Sequence, residues 1–488
     1  MGRSLIGPRS NQARISPGSI VIPDFNALVF KYYVPLNYSD PDFGSAAIAV
    51  IKMNATMENG LEYGGPILTN PGGPGVSGVE AILELGKVWQ NNTGSQFDLI
   101  GFDPRGVGSS TPSVSVFQST EESISWFAQE PSDVNSTPEA LPQEWARYQA
   151  FGLAAEARDN GVLNYVNTGL VARDMLGIVE ALGQEKLQFL GYSYATVIGA
   201  TFATLFPDRI GRMVLDACVD MDGWFGTDYI LSGDIDADKT MQAFFDGCHS
   251  AGPERCAFYA SSPSEIAANL EAIYSSLRSQ PVPAFTGDAF GVLTYDALRG
   301  LVGSAITTPY AQFQQLASGL ADLSKGNGTT LFQMISSSIS NVVDIEAQTA
   351  IQCSDGDPFN ITAPQLQELL VANNSTLAGL FGTIPSRCAG WQIHPNDRFQ
   401  GPVGANTSNP LLFVGNTIDP RTPLAFTIKT SSMFPGSAVL IQDSTGHSSQ
   451  AANSSCREQY LRNYFATGQL PTNGTVCQVD DELFPVSS

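Results

Sequence analysis

A serine between small residues is the first group in this sequence that could act as a nucleophile. Ser193 stands in Gly191-Tyr192-Ser193-Tyr194-Ala195, between an apolar strand-like run and an apolar helix-like run. Small flanking residues let a strand turn sharply into a helix, because larger side chains would meet the neighbouring backbone. Such a turn lifts the Ser193 hydroxyl above a sheet, at a helix N-terminus that favours negative charge. The pattern therefore predicts Ser193 as a nucleophile.

A nucleophilic serine needs a base, and the chain has three histidines, His249, His394 and His447. The first two lie in a long helical region, whereas His447 follows the last apolar strand-like run. In a sheet whose elbow serine stands at the ends of its strands, the base lies on the loop after the last strand. We therefore expect His447 to be the base that activates Ser193.

The acid that orients the base should stand between the serine and the histidine, at the end of a strand. Asp419 meets both conditions, and we expect it to accept a hydrogen bond from Nδ1–H of His447. Asp216, at the end of the strand after the elbow helix, is the alternative. Asp443 is too close to His447 along the chain to be preferred.

A glycine-rich loop upstream of the serine could hold the negative charge that develops on a substrate oxygen. Asn70-Pro71-Gly72-Gly73-Pro74-Gly75 follows a short apolar strand. Glycines allow backbone N–H groups to approach such an oxygen without obstruction by side chains. We expect the N–H groups of Gly73 and Tyr194 to form an oxyanion hole.

A second glycine-containing segment, residues 103–110, has the sequence Asp-Pro-Arg-Gly-Val-Gly-Ser-Ser. It lacks the Gly-Lys-Ser/Thr ending of a phosphate-binding loop and the GxGxxG spacing, so it does not indicate nucleotide binding. We expect Asp103 and Arg105 to pair and brace this loop.

The elements that must position these groups alternate between strands and helices up to about residue 220. Apolar runs predict strands, and apolar residues at helical spacing predict helices on either side of the serine. This alternation predicts a mostly parallel sheet with helices on both faces. The predicted strands are Ala27–Val34, Ala46–Met53, Gly65–Thr69, Phe97–Phe102, Leu187–Leu190 and Met213–Leu215, and the predicted helices are Thr168–Leu182 and Thr196–Phe206.

Residues 221–400 differ in character, because strand patterns fade and helical ones dominate. Strand patterns return at Pro410–Val414 and Ala438–Ile441. We therefore predict one core, residues 1–220 and 401–488, interrupted by a mainly helical cap at 221–400. Within the cap the predicted helices are Met241–Cys248, Pro263–Leu277, Tyr295–Val302, Ala311–Leu323 and Ala363–Ala372.

The chain of 488 residues is 43% hydrophobic and 15% charged, which is typical of a globular protein, and its net charge is −23. Such a field repels nucleic acid and anionic membranes, so we expect neither as a partner. It tolerates a cationic group such as a free amino terminus. No metal or organic cofactor is expected, and the chain is expected to be a monomer or a homodimer.

Six of the seven cysteines fall into sequential pairs, which suggests the disulfides Cys248–Cys256, Cys353–Cys388 and Cys456–Cys477 with Cys218 as a buried thiol. Paired cysteines together with many Asn-x-Ser/Thr sequons favour a secreted glycoprotein, although residues 1–20 contain no apolar signal segment. The sequons include Asn37, Asn54, Asn91, Asn135, Asn327, Asn360, Asn373, Asn374, Asn406, Asn453 and Asn473.

Taken in order, the motifs at 71–75, 102–110, 191–195 and 419…447 resemble those of the tripeptidyl aminopeptidase and proline iminopeptidase group of α/β-hydrolases. The segment Ser386–Trp391 is similar to the C-terminal domain of secreted tripeptidyl aminopeptidases. Two positions depart from the group's pattern. Asn70-Pro71 stands where the group often has His, and Ala195 where it usually has Gly.

The resemblance implies a serine exopeptidase that releases short peptides or residues from a free N-terminus, with a cap that restricts access. It also leaves an esterase, lactonase or amide hydrolase acting on a small metabolite as the alternative, and a non-catalytic binding protein as a third hypothesis. An aminopeptidase needs carboxylates that bind the substrate ammonium group. Asp220 and Asp355, near the expected junctions of the cap, are the candidates.

Overall fold

A computed structural model describes residues 20–22, 26–57, 60–226, 235–338, 344–372, 375–381 and 383–486. Two predicted sequons, Asn373 and Asn374, lie outside these residues. The strands, in chain order, are β1 (Ile20–Ile22), β2 (Ala27–Pro35), β3 (Ser45–Met53), β4 (Gly65–Asn70), β5 (Phe97–Phe102), β6 (Leu187–Tyr192), β7 (Ile210–Asp216), β8 (Val282–Phe285), β9 (Phe290–Leu293), β10 (Leu412–Ile418), β11 (Ala438–Thr445) and β12 (Thr475–Gln478).

Ten of these strands form one sheet in the order β1-β2-β3-β5-β4-β6-β7-β10-β11-β12. The first three pairings are antiparallel and the other six are parallel. The carboxyl ends of parallel strands share one edge of a sheet, so the loops after β4, β6, β7, β10 and β11 meet there. The mostly parallel sheet predicted from the sequence is confirmed.

Helices cover the sheet and also make up most of residues 221–400 that the structure describes. In chain order they are α1 (Gly78–Thr93), α2 (Thr120–Phe127), α3 (Ala140–Arg158), α4 (Thr168–Ala181), α5 (Ala195–Leu205), α6 (Met221–Phe225), α7 (Ala237–Ala251), α8 (Pro263–Ser279), α9 (Tyr295–Ala305), α10 (Pro309–Leu323), α11 (Thr329–Ser338), α12 (Ile345–Asp355), α13 (Ala363–Ala372), α14 (Ala378–Phe381), α15 (Thr383–Gly390), α16 (Leu424–Ser432) and α17 (Ser455–Thr467).

The two faces of the sheet are buried by different helices. Along β6, Leu187 and Phe189 join a core cluster with α4 and α5, whereas Leu190 and Tyr192 join a cluster with α1 and α17. This alternation follows from the period of two along a strand. Burial on both faces explains why the central strands read as continuous apolar runs in the sequence.

The helical region divides by what it packs against. Helices α7 to α11 enclose a core cluster of their own, which also takes in Leu377 and Phe484. Helices α12 and α15 instead contribute Ala347, Cys353 and Cys388 to the cluster under α4 and α5. The strands β8 and β9 pair only with each other in the described residues. The boundaries 221 and 400 of the cap stay a prediction.

Candidate active site

The nucleophile lies on a sharp turn between β6 and α5, as the sequence predicts. Ser193 has φ = 55°, in the left-handed region that residues with a Cβ rarely adopt. Its N–H donates to the carbonyl of Asp216, 3.0 Å away on the neighbouring strand β7. A Cβ on Gly191 would lie 2.9 Å from the carbonyl oxygen of Ala195, which explains the glycine before the turn.

Three side chains distant in the sequence form one hydrogen-bonded chain at this edge of the sheet. Nε2 of His447 lies 2.9 Å from Oγ of Ser193. Nδ1 of the same ring lies 3.0 and 3.2 Å from the two carboxylate oxygens of Asp419. With the ring proton on Nδ1, Nε2 is free to accept the proton of the serine hydroxyl. The structure therefore joins the predicted nucleophile, base and acid.

Asp419 is fully buried, and its charge is stabilised by a dense set of donors. Burial alone would raise the pKa of this carboxyl, but His447 and backbone N–H groups outweigh it, so the pKa lies below its ordinary value. The carboxylate accepts from the N–H groups of Arg421 and Thr422 and from the Thr422 hydroxyl at 2.8 to 2.9 Å. The Ser448 N–H adds another hydrogen bond at 2.9 Å. An ionised Asp419 can thus hold the His447 ring in one tautomer.

The glycine-rich loop after β4 packs directly against the turn that carries the nucleophile. Gly72 has φ = 99°, and a Cβ on it would lie 2.4 Å from the Tyr192 carbonyl oxygen and 2.9 Å from the Tyr194 nitrogen. Asn70 fixes the loop, since its amide oxygen accepts from the Gly72 N–H at 2.9 Å. This packing sets Gly72, the neighbour of Gly73, against the backbone of Tyr194. The role of the Gly73 and Tyr194 N–H groups as an oxyanion hole stays a prediction.

Comparison with known proteins agrees with this geometry. A family model described as "alpha/beta hydrolase fold" matches residues 65–252, and one described as "TAP-like protein" matches residues 379–477. The chain is 30% identical to serine protease Hip1 of Mycobacterium tuberculosis, with 95% of this chain and 89% of that protein aligned. It belongs to the α/β-hydrolase family, in the tripeptidyl aminopeptidase group.

Two further relatives of this α/β-hydrolase are named for different activities. Tripeptidyl aminopeptidase of Streptomyces lividans is 26% identical, over 91% of this chain and 82% of that protein. Carboxylesterase B of Mycobacterium tuberculosis is 27% identical, over 91% of this chain and 85% of that protein. The resemblance inferred from the motifs is confirmed.

The expected pair in the loop of this hydrolase at residues 103–110 is wrong. Arg105 pairs with Asp174 of α4 at 2.6 Å, and both side chains are buried. Asp103 instead accepts from Ser77 at 2.7 Å, from the Val79 N–H and from the Ser109 N–H. Asp103 and Arg105 both stabilise the loop, but each has a different partner. The partner of Arg105, Asp174, lies 69 residues away in the sequence and is brought beside it by the fold.

The two carboxylates expected to bind a substrate ammonium group are both engaged within the hydrolase. Asp220 forms an ion pair with Lys429 of α16 at 2.7 Å. Asp355 is 1% exposed and accepts from Thr168 N–H at 2.8 Å and from Trp224 Nε1–H at 2.9 Å. Neither is brought to Ser193 by a contact in the described residues, and their role in substrate binding stays a prediction.

Two hydrogen bonds in series connect Asp355 to Tyr194, one of the predicted oxyanion donors. The Tyr194 hydroxyl lies 2.7 Å from Oγ1 of Thr168, which in turn donates to Asp355 at 2.5 Å. Burial raises the pKa of Asp355 to about 6. The end of α12 is thereby tied to the residue that follows the nucleophile.

The cysteines pair as the sequence suggests. The disulfides Cys248–Cys256, Cys353–Cys388 and Cys456–Cys477 form, and Cys218 is a buried free thiol. The ring of His249 stacks on Tyr259, and no contact joins His249 or His394 to Ser193 in the described residues.

Among the described residues no group of His, Cys, Asp and Glu side chains is arranged to hold a metal ion. No described helix is long and apolar enough to cross a bilayer.

Several residues that support the site were not found from the sequence. Thr422 and Ser448 donate to Asp419, and the His447 N–H donates to the carbonyl of Thr307 in the cap at 2.8 Å. The position of Thr422, three residues after Asp419 in a turn, is the only sequence signal among them. Backbone contacts such as that of Thr307 leave no mark on residue type.

Proposed function

We propose that this chain is a serine hydrolase that cleaves amide bonds through an acyl-enzyme and acts as an exopeptidase on a free N-terminus. The observation that supports the catalytic class is the unbroken chain from Ser193 Oγ through His447 to Asp419, at 2.9 and 3.0 Å. Such a chain lets a neutral imidazole take a proton from the hydroxyl as it attacks.

In the first half of the reaction Ser193 Oγ bonds to the substrate carbonyl carbon. Its proton passes to Nε2 of His447, and Asp419 stabilises the resulting imidazolium. The carbonyl oxygen, now negative, is held by the N–H groups of Gly73 and Tyr194. The carbon–nitrogen bond then breaks, and the leaving amine takes the proton from His447.

In the second half water replaces the leaving amine. His447 takes a proton from the water as its oxygen bonds to the acyl carbon, and the second tetrahedral intermediate uses the same oxyanion donors. Collapse of this intermediate releases the acid product and returns the proton to Ser193. Every proton transfer uses one imidazole.

Exopeptidase specificity is supported by the relative named tripeptidyl aminopeptidase, and cleavage of peptide bonds also by the relative named serine protease Hip1. The net charge of −23 favours approach of a cationic amino terminus. Binding of that ammonium by Asp220 would compete with Lys429, and binding by Asp355 would require the Thr168 and Trp224 contacts to open.

The second candidate is an esterase, lactonase or amide hydrolase that acts on a small metabolite. The relative named carboxylesterase B aligns with 91% of this chain, which favours this candidate over a binding protein. The same acyl-enzyme chemistry serves both, since only the leaving group differs.

A fluorophosphonate probe tests the catalytic class. Wild type should be labelled at Ser193. Ser193→Ala should not be labelled, and its kcat should be lower by several orders of magnitude. Tripeptide amides with free and acetylated N-termini, beside p-nitrophenyl esters, test the substrate class. Hydrolysis of the free peptides alone supports the exopeptidase; hydrolysis only of the esters selects the second candidate; an unlabelled wild type refutes both.

We also propose that the protein is secreted and glycosylated. Three disulfides fit an oxidising compartment. Mass spectrometry of the protein from its native source, before and after enzymatic removal of N-glycans, tests this. An unchanged mass would contradict glycosylation, and alkylation of all seven cysteines without reduction would contradict the oxidised state. The exposed sequon asparagines are Asn91, Asn135, Asn327, Asn360, Asn406, Asn453 and Asn473.

A further inference from the structure

Backbone strain gathers around one buried aspartate that the catalytic chain does not use. Among the described residues, positive φ occurs outside glycine at Asn26 and at three positions near Asp216: Ser193 (55°), Ala217 (62°) and Ser448 (61°). Each such conformation costs on the order of 1 to 2 kcal/mol, so it persists only where surrounding contacts enforce it.

Asp216 contacts both of the chain segments that must meet for catalysis, the turn that carries Ser193 and the loop that carries His447. Its main-chain carbonyl accepts the N–H of Ser193 at 3.0 Å. Its carboxylate accepts the N–H of Ser449 at 3.0 Å and also the Ser449 hydroxyl. Ser449 stands two residues after His447. Asp216 therefore forms hydrogen bonds both with the turn of the nucleophile and with the loop of the base.

The loop of the base lies between an anion and a cation. Ser449 points its N–H and hydroxyl at Asp216, and its carbonyl accepts from the Arg457 guanidinium of α17. Arg457 also donates to the carbonyl of Ala452 at 3.3 Å. Asp216 and Arg457 are 0% and 2% exposed, so their fields act on Ser449 with little screening by solvent.

We propose that Asp216 is a positioning residue for the reaction, which holds the His447 loop in register with Ser193. The inference rests on the proposed serine hydrolase function. It differs from the alternative that Asp216 is the acid of the catalytic chain, since His447 Nδ1 faces Asp419. The neutral bridging Ser449 separates Asp216 from the proton transfers and leaves it a mechanical role.

The electrostatic surroundings of Asp216 agree with this role. Burial raises the pKa of Asp216 to about 6, against hydrogen bonds from Ser449 and the charge of Arg457, while Asp419 adds to the rise. At neutral pH the carboxylate is ionised and accepts both donors of Ser449. An amide in its place has one oxygen and presents an N–H group to the other donor.

The test compares Asp216→Asn, Ser449→Ala and the double variant. For a p-nitrophenyl ester, or for a peptide amide if that is the substrate found, each single variant should lower kcat about 10- to 100-fold by displacing the imidazole. KM should stay unchanged, because Asp216 does not touch substrate. The double variant should lose less than the product of the two single losses, because both changes act on the contact between residue 216 and Ser449, of which Ser449→Ala removes the hydroxyl hydrogen bond and keeps the N–H one.

Asp98→Asn is the matched control. Asp98 is buried on β5 of the same sheet and also accepts a backbone N–H and a hydroxyl, from Ala55 and Tyr63, but at the amino end of the strand, where it also pairs with Lys52 at 2.7 Å. This variant should lower the melting temperature and leave kcat unchanged.

Three results would overturn the inference: folded Asp216→Asn with wild-type kcat, losses that multiply in the double variant, or an equal loss of kcat in Asp98→Asn. If Asp216→Asn does not fold, Ser449→Ala decides alone, through kcat and the rate of fluorophosphonate labelling. A wild type that the probe does not label would refute the proposed function itself. A labelled wild type with an equally reactive Ser449→Ala would refute only this inference.

Discussion

At the scale of single residues, Asp419 decides which nitrogen of His447 faces the nucleophile. An ionised carboxylate at Nδ1 demands a proton there and leaves Nε2 as the acceptor. The lowered pKa of Asp419 keeps it ionised throughout the neutral range. The orientation of the base toward Ser193 is thus set by the Asp419 side chain, which contacts His447 and not Ser193.

Asp419→Asn should therefore lower kcat by about 10⁴-fold with little change in KM, because an amide can donate to Nδ1 and favour the wrong tautomer. Steady-state kinetics on an ester substrate measure this. Asp443→Asn is the control, since Asp443 is exposed and binds only Thr417 and Gln478 among the described residues. A comparable loss in the control, or none in Asp419→Asn, would contradict the assignment of the acid.

The loop at Gly72 gives a second prediction. Gly72→Ala places a methyl group 2.4 Å from the Tyr192 carbonyl oxygen, so the turn of the nucleophile must shift, and kcat should fall by about 100-fold. Gly183→Ala is a matched control, with φ = 73° but open space around the added atom. It should cost only on the order of 1 kcal/mol in stability, measured by denaturant unfolding, with kcat unchanged. Equal kcat in the two variants would contradict the close packing.

The sequence predicts the reacting residues because few candidates exist for each role. Three histidines and one strand–turn–helix motif nearly select Ser193 and His447, and chain order adds Asp419. The sequence does not predict the residues that orient these three side chains. The sequence suggests an ion pair between Arg105 and Asp103, two positions away. The ion pair in the structure is with Asp174, which becomes adjacent to Arg105 only when α4 packs on the sheet.

At the scale of elements, the cap takes part in holding the base. The segment between α9 and α10 supplies the carbonyl of Thr307 to the His447 N–H at 2.8 Å. The segment that follows β12, residues 479–486 (the tail), reaches the cap, where Phe484 is 3% exposed beside Phe244 and Phe313. The tail therefore fastens the cap to the core.

Phe484→Ala should destabilise the cap by about 3 to 5 kcal/mol, because it empties a buried aromatic site. A loosened cap should also weaken the Thr307 contact and lower kcat. Calorimetry and ester hydrolysis measure the two effects. Phe290→Ala, at an 84% exposed position on β9, should change neither. The role of the tail is refuted if both variants behave alike.

The sequence predicts many elements from their period, but it misses others, among them the long helices α1 and α3. The strands β2 to β7 and the helices α4, α5 and α8 were anticipated to within a few residues at their ends. Helix α12 is also missed, because its buried residues include polar ones such as Gln352 and Asp355, so polar and apolar residues do not separate onto two faces with a helical period. The short strand β12 depends on its pairing with β11.

At the scale of the whole molecule, the chain combines a strongly acidic surface with buried carboxylates whose pKa is raised. Burial brings the pKa of Asp216 and Asp355 to about 6 and that of Glu144, on α3, to about 7. The sequence predicts the net charge of −23, but not which acidic residues are buried, because that depends on packing of distant elements. These buried groups give stability an unusual dependence on pH.

Glu144 offers the clearest test, because it is fully buried and one of its carboxylate oxygens has no hydrogen-bond partner in the described residues. Its pKa is raised by burial and by Glu130, against Arg147. A raised carboxyl pKa means that the folded state binds the proton more tightly than the unfolded one. Ionisation therefore costs stability, beginning above the unfolded pKa near 4.5 and complete above pH 7.

Glu144→Gln removes this cost while keeping an oxygen that can accept from Arg147 at 3.0 Å. The variant should be more stable than wild type at pH 8, by on the order of 3 kcal/mol, and the difference should shrink steadily toward pH 5. Denaturant unfolding at several pH values between 5 and 8 measures it. Glu122→Gln, at a partly exposed residue with a lowered pKa, should show no such gain. A Glu144→Gln protein less stable than wild type at pH 8 would mean that the ion pair with Arg147 outweighs desolvation.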